Sequence, residues 1–448
     1  MRPRPVVALA LLLSAACARY TPHPVDVESA PAAYRARTLD DPALRAALDS
    51  LGAPEGRFWD AWMLAQAAWL LAPERGRMEA EVRAAEAEAV AQGARPGPGL
   101  NAESEIDFSG QDGSTPFALG LSGLFRFERG GKPGARIGRA EAAVLAARAR
   151  LEEARAERVH AMRRLLIEQR ALASLERSDD SLGVVGARVE QALERRYRQG
   201  ATGGTELARF RGDRQADWAL AAARRRRDSE LLAGISGRLG TAIPSFLPPP
   251  VPACDELWDP LPALLDSLGR VALTRRVTLA RVLAEYQEAE GDVRLAAAET
   301  WPDIELGPGL LFDHGVGKWT IGFGLPSLPR SAGAILRAAE ARRAVAAARV
   351  AQEQLAVLGE VREAALRCSA AARFSRALME QNGAAYDRFL RARAAVDRAE
   401  AEPVSADLAM LEVARLARQY DEARVDEAVA RADLERALGI WPREGREQ

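Results

Sequence analysis

Histidine is scarce in this chain of 448 residues: there are three, His23, His160 and His314, far apart in sequence. No catalytic or zinc-binding cluster can be assembled from them, and each reads as a surface side chain. Cysteine is equally scarce. Of the three thiols, Cys254 lies in a proline-rich stretch and Cys368 inside a helical pattern, with no CxxC spacing and no disulfide framework expected. Aromatic residues make up 6%. Beyond the first residues no run of 18 or more apolar positions exists, which excludes a transmembrane helix and leaves strands as the means of crossing a bilayer. The formal net charge of -1 gives no field to attract nucleic acid. Gly130-Gly131-Lys132-Pro133-Gly134 lacks the spacing of a phosphate loop. Six methionines and three histidines form no ladder for soft metals. The expectation is no enzyme, no cofactor and no resident metal.

What is present begins with an export signal over 1–16. Arg2 and Arg4 precede the apolar Val6 to Leu13, and Ser14-Ala15-Ala16 makes a small-residue cleavage site. The next residue, Cys17, resembles the acceptor of a bacterial lipoprotein signal, with Ser14 where Leu is usual. That resemblance implies a lipid-anchored (palmitate-bearing) extended segment over 17–56.

The remainder is written twice, with an offset of about 200 residues: helix, short strand pair, very long helix, turn, long helix. Arg139-Ala140-Glu141-Ala142 is answered by Ala338-Ala339-Glu340-Ala341, and Leu239-Gly240 by Leu438-Gly439. The first repeat covers 57–240, with a strand pair at about 99–128 and a hairpin tip near 200. The second covers 263–442, with strands at about 303–326 and a tip near 401, followed by a tail over 443–448. Between them, 241–262 holds Pro248-Pro249-Pro250 and Pro252, which cannot continue a helix. Seven-residue spacing of Ala140, Ala147, Ala154 and Ala161, beside Val144, Leu151, Leu165 and Leu172, predicts an alanine-lined coiled-coil seam. Ala344, Ala351, Leu358, Ala365 and Ala372 repeat it, and Leu416, Ala423, Ala430 and Ala437 line the returning helix.

Four segments alternate with period two. Leu100, Ala102, Ser104, Ile106 and Phe108 alternate with Asn101, Glu103, Glu105 and Asp107; Phe117, Leu119, Leu121, Phe125 and Phe127 share a face. Ile304, Leu306, Leu310 and Phe312 stand against Asp303, Glu305 and Asp313, and Trp319, Ile321, Phe323 and Leu325 against Thr320, Gly322 and Gly324. Each is of bilayer-crossing length, and Trp301 and Trp319 suit an aromatic girdle. Four strands cannot close on themselves, and open edges are intolerable in lipid. Three copies would supply twelve strands, a closed barrel whose lumen takes Glu103, Glu105, Asp107, Asp303 and Glu305.

The order of these parts resembles the outer-membrane efflux family of TolC-like channels. Ala72-Pro73-Glu74, Pro96, Trp301-Pro302-Asp303 and Gly324-Leu325-Pro326-Ser327-Leu328-Pro329 fit its local signatures, the last like the branch partnered with heavy-metal exporters. Arg195-Arg196-Tyr197-Arg198-Gln199-Gly200, with Glu206 six positions on, resembles the periplasmic tip. In the second half Ala401 stands where Gly is expected, with Asp407 at the same spacing, while Pro403 and Tyr386 depart from the pattern. The resemblance implies a mainly α fold with β: a duplicated chain giving a long periplasmic helical barrel and a trimeric twelve-stranded β-barrel. It implies a homotrimer in the outer membrane of a Gram-negative bacterium, working with a periplasmic adaptor and an RND-type inner-membrane pump. Glu206 and Asp407, paired with Arg195, Arg198 or Arg398, are the expected aperture residues. The rival is a soluble periplasmic coiled-coil or adaptor protein, which would carry one hairpin rather than two.

Overall fold

A computed structural model of the chain describes residues 21–53, 59–94, 97–106, 117–243, 246–247, 254, 262–313, 316–325 and 331–440. The stretch expected to be an export signal (1–16), Cys17, Pro96, Asp107, Phe108, His314, Pro326 and the expected 443–448 tail lie outside these residues.

Two very long helices dominate. α5 (Lys132–Arg198) runs for 67 residues and α9 (Ala332–Asp397) for 66, so each is about 100 Å long at 1.5 Å per residue. α5 starts after Gly131, whose φ of 76° only glycine adopts readily, with Pro133 in its first turn, where no amide donor is needed. The returning helices α6 (Gly204–Leu239) and α10 (Pro403–Leu438) have 36 residues each. Both stop at a left-handed glycine, Gly240 and Gly439. The same displacement relates Gly200 to Ala399, Gly204 to Pro403 and Gly240 to Gly439, which fixes the duplication residue by residue.

Shorter helices occupy the middle of the molecule and the region toward the strands. In chain order these are α1 (Ser29–Arg35), α2 (Pro42–Ser50), α3 (Ala61–Leu70), α4 (Pro73–Gln92), α7 (Pro262–Arg275) and α8 (Val277–Glu299). Asp41 and Asp60 cap α2 and α3 by accepting from Ala43 and Met63 amides. Toward the tip the helices form one layer in the order α6, α5, α10, α9; toward the strands the order is α4, α5, α8, α9. Among the described residues α6, α4 and α9 are therefore outermost, each with a flank that no other helix covers.

Two apolar belts lie between these levels. Leu48, Leu64, Trp59 and Trp69 pack on Met162, Leu166, Ile235 and Leu239, while Ala272 and Leu279 pack on Val357, Val361, Ala365 and Leu434. The alanine seam is as read for Ala140, Ala147, Ala365, Ala372, Ala423, Ala430 and Ala437, all buried. Ala344, Ala351 and Leu358 are exposed in the single chain instead. α9 changes partner from α8 to α10 along its length, so its buried line rotates to Val357, Val361 and Ala364.

The connector brings two surprises. β4 (Phe246–Leu247) pairs in parallel with β1 (Trp59–Asp60), returning the chain beside the start of the first repeat. Contrary to the cysteine reading, Cys254 and Cys368 are joined in a disulfide. Their separation of 114 residues carries no spacing signature.

The larger sheet is antiparallel in the order β2 (Gly99–Ile106), β3 (Phe117–Phe127), β5 (Ile304–Asp313), β6 (Val316–Gly324). Each repeat contributes one hairpin. β2 and β6 are left as edges.

Candidate functional site

The register sorts the sheet into two faces. Leu119 pairs Ser104 on one side and Phe312 on the other, Leu121 pairs Ala102 and Leu310, and Phe125 pairs Leu306, which in turn pairs Phe323. With Trp319 opposite Leu310 and Ile321 opposite Pro308, one face is apolar across all four strands. Among the described residues no helix covers it: Trp319 is 81% and Ile321 83% exposed. The opposite face carries Glu103, Ser122, Arg126, Glu305, Lys318 and Thr320 among glycines 120, 307, 309, 322 and 324, with Leu124, Leu311 and Val316 interspersed. A Cβ on Gly309 would come within 3.0 Å of Ser122 and Thr320 atoms, so this face is close-set and small.

The acids expected on this side are not alike. Glu103 lies on β2 opposite Gly120, and Glu105 opposite Ala118. Glu305 is held by Arg126 of the facing strand at 2.9 Å. Asp303 sits just before β5, bonded at 2.6 Å to Lys132 in the first turn of α5. Arg136, one turn further, pairs with Glu128 at the end of β3, and that hydrogen bond holds the Glu128 carboxyl below the usual range. The strand-to-helix passage is thus clamped by charges from both repeats. Trp301, against which Gly130 packs and over which Arg129 stacks at 6.0 Å, completes it.

At the far end, Gly200 takes the left-handed conformation of the first turn with φ 71°. In the second turn that conformation falls on Ala399 (φ 58°) rather than Ala401. Its neighbour's amide closes the same bond, Glu400 to Ala395 O at 2.8 Å against Ala201 to Arg196 O at 2.9 Å. The residue equivalent to Glu206 is consequently Ser405, and Asp407 lies further along α10. Within the chain Arg198 bonds Glu194 at 2.7 Å and Arg398 bonds Glu400 at 2.9 Å, while Arg195 is exposed. Glu206 accepts from Thr202 at 3.4 Å. Among the described residues, none of these arginines meets Glu206 or Asp407.

The two hairpins are joined elsewhere, by groups the sequence did not single out. Asp217 of α6 bonds Arg418 at 3.0 Å and Arg415 at 3.3 Å on α10. Arg224 of α6 bridges Asp179 of α5 at 3.0 Å and Glu422 of α10 at 3.1 Å. Ser178 donates to Asp421, and Arg196 pairs with Glu402 beside the tip. Inside the first hairpin Glu190 takes both Arg211 and Arg214, and the Arg211 bond is the main cause of its lowered carboxyl pKa.

No family model matches the chain, and no curated protein matches it in sequence. Solved structures do match in shape. One is CusC, known from crystal structures addressing folding and transmembrane channel formation: 18% identity, TM-score 0.65, over 87% of this chain and 96% of that one. A membrane protein from Pseudomonas aeruginosa gives 20% and 0.64 over 87% and 98%. The outer membrane protein VceC of Vibrio cholerae gives 18% and 0.63 over 84% and 95%. The chain has the TolC-like channel fold.

In the TolC-like fold the uncovered apolar face, the clamped passage and the ion pairs between the hairpins follow one another along the length of α5. Midway along it lies His160, which the sequence placed at the surface. It is buried where α5 meets α10 and the start of α8, and burial, with Arg163, Arg436 and Arg276 nearby, drives its pKa down to about 3. A cavity of about 660 Å³ opens at this level. Its arginines are largely matched, Arg227 by Glu168 at 2.7 Å and Arg164 by Asp433 at 3.5 Å, so it offers no distinct charge to a ligand. Among the described residues no cluster of His, Cys, Asp and Glu is arranged to hold a metal, and no helix is long and apolar enough to cross a membrane.

Proposed function

We propose that the chain is one of three identical staves of an outer-membrane efflux duct. One observation carries the reading: a four-stranded sheet with an uncovered apolar face and two unpaired edges, β2 and β6. In water such a face and such edges are unfavourable, whereas in a bilayer the face is solvated by lipid and the edges must pair with other strands. The helical layer supports the same arrangement. One uncovered side belongs to the first repeat (β2, α4, α6) and the other to the second (β6, α9), so copies associate head to tail, and a ring closes.

The duct is passive. The glycine-rich, more polar sheet face lines the barrel, with Glu103, Glu105, Lys318 and the Arg126–Glu305 pairs among its charges, and the hairpins form a periplasmic tube whose tips meet an adaptor and, through it, an inner-membrane pump of RND type. The ion pairs around Asp217 and Arg224 hold the tips at rest, and Glu206 and Asp407 become rings of three at the aperture. Cys17 carries the lipid anchor. With Cys254 and Cys368 bonded to each other, it is the remaining cysteine of three.

The deciding experiment is fractionation with cross-linking and planar-bilayer recording of the full chain. Outer-membrane trimers with discrete conductance are expected; a soluble monomer with no conductance would overturn the reading. Mass spectrometry of the mature N-terminus tests the anchor separately, and an unmodified Cys17 would remove it.

A further inference from the structure

One residue of the stretch between the repeats, Cys254, is fastened in two ways. Cys254 is fully buried and bonded covalently to Cys368, itself fully buried in the middle of α9. The Cys254 backbone N–H donates to Glu427 Oε1 on α10 at 2.8 Å. Glu427 is a carboxylate with no exposure at all. Its other oxygen accepts from Ser375 Oγ on α9 at 2.9 Å and from Arg424 at 2.6 Å. A buried carboxylate is tolerated only when its lone pairs are filled, and one of the three donors here belongs to the connector. The disulfide holds that donor in place, and Val361, Ala365, Ala372 and Leu434 close over the whole arrangement.

This packing orders events. Thiol–disulfide exchange requires an oxidant's sulfur to reach the attacking thiolate, and neither sulfur is reachable once α9, α10 and the connector have packed. We infer that Cys254 and Cys368 are oxidised by a dithiol–disulfide exchange protein before the second repeat closes, and that this bond is what seats the connector on Glu427. The chain is thus a client of such an oxidant. In the reaction one thiolate attacks the oxidant's disulfide, giving a mixed disulfide, and the second thiolate displaces it. The chain's two thiols lose two protons and two electrons, and the oxidant's disulfide becomes two thiols. Loss of the bond releases Cys254 from α9 and weakens the hold on the amide donor to Glu427, so the disulfide and the Glu427 hydrogen bond are energetically coupled. The inference concerns assembly and holds whether or not the finished protein conducts.

The test uses the full-length chain and a maleimide reagent with peptide mapping. In denatured, unreduced protein Cys254 and Cys368 are expected to resist labelling, and to label fully after reduction. In folded protein, reductant alone is expected to leave them unlabelled. A label pulse in cells grown with dithiothreitol is expected to trap both thiols only in chains outside the assembled, protease-resistant fraction. Cys254→Ser should lower assembled yield several-fold, and Glu427→Gln should lower the thermal midpoint much less in that background than in the parent. Free thiols in the assembled protein, equally fast reduction of folded and denatured chains, or parental yield and midpoint for Cys254→Ser would each overturn the inference.

Discussion

Asp217 and Arg418 meet at 3.0 Å across α5, tying the return helix of the first hairpin to that of the second. Arg418 is nearly buried, so Asp217→Asn leaves a desolvated guanidinium facing a neutral amide, at a cost of about 1–3 kcal/mol. The hairpins should loosen near the tip. Larger single-channel conductance or a higher open fraction is expected in bilayer recordings, and parental currents with a lowered thermal midpoint would show the pair to be structural only.

Ile321 and Thr320 are neighbours on β6 that face opposite ways. Ile321→Arg should cost about 2–4 kcal/mol if its side meets lipid at mid-depth, and should deplete membrane-inserted oligomers. Thr320→Arg should leave their yield intact and alter ion selectivity. Equal yields for both would refute the assignment of faces.

Gly291 lies where α8 packs closely on α5: a Cβ there would sit 2.8 Å from the Arg139 Cα. Since that neighbour is backbone and cannot swing aside, Gly291→Ala should destabilise by about 1–3 kcal/mol. Gly359 in α9 has open space and should gain about 0.5–1 kcal/mol on the same change. Thermal or denaturant unfolding of the two variants should therefore shift in opposite directions.

His160 remains neutral in the fold down to about pH 3, whereas an unfolded histidine titrates near 6.5. The depressed folded value means its contribution is complete above pH 6.5 and is lost as pH falls toward 3, by up to about 1.4 kcal/mol per pH unit. His160→Asn should flatten the loss of thermal midpoint between pH 7 and pH 5. Identical slopes for parent and variant would count against a buried neutral imidazole.

Ala399 holds a left-handed conformation that its counterpart Gly200 adopts without strain. Ala399→Gly should stabilise by about 1 kcal/mol and Gly200→Ala destabilise by a similar amount. Matching chemical-denaturation midpoints for both variants would deny that the two turns are equivalent.

Those turns also show where sequence reading stopped. The duplication, the four strands and the apolar face were legible because period-two alternation and paired Leu-Gly stops are local signals. The register of the second tip was not, because the expected glycine is an alanine, and Asp407 was matched to Glu206 where Ser405 belongs. The ion pairs between the hairpins were hidden for another reason. With 62 basic and 63 acidic residues, almost any arginine has candidate partners, and only the packing of α6, α5 and α10 selects Asp217 for Arg415 and Arg418. The Cys254–Cys368 bond joins residues far apart in sequence, without a motif. His160 sits at a helix crossing that periodicity does not locate.

The bare rims of the sheet carry a cost before any ring forms. If the copies close into the proposed ring, each chain would, before closure, present two ladders of unmated amides and carbonyls flanking a greasy surface, the combination that seeds clumping. On that reading the architecture would call for escort by a holding chaperone or swift encounter with siblings.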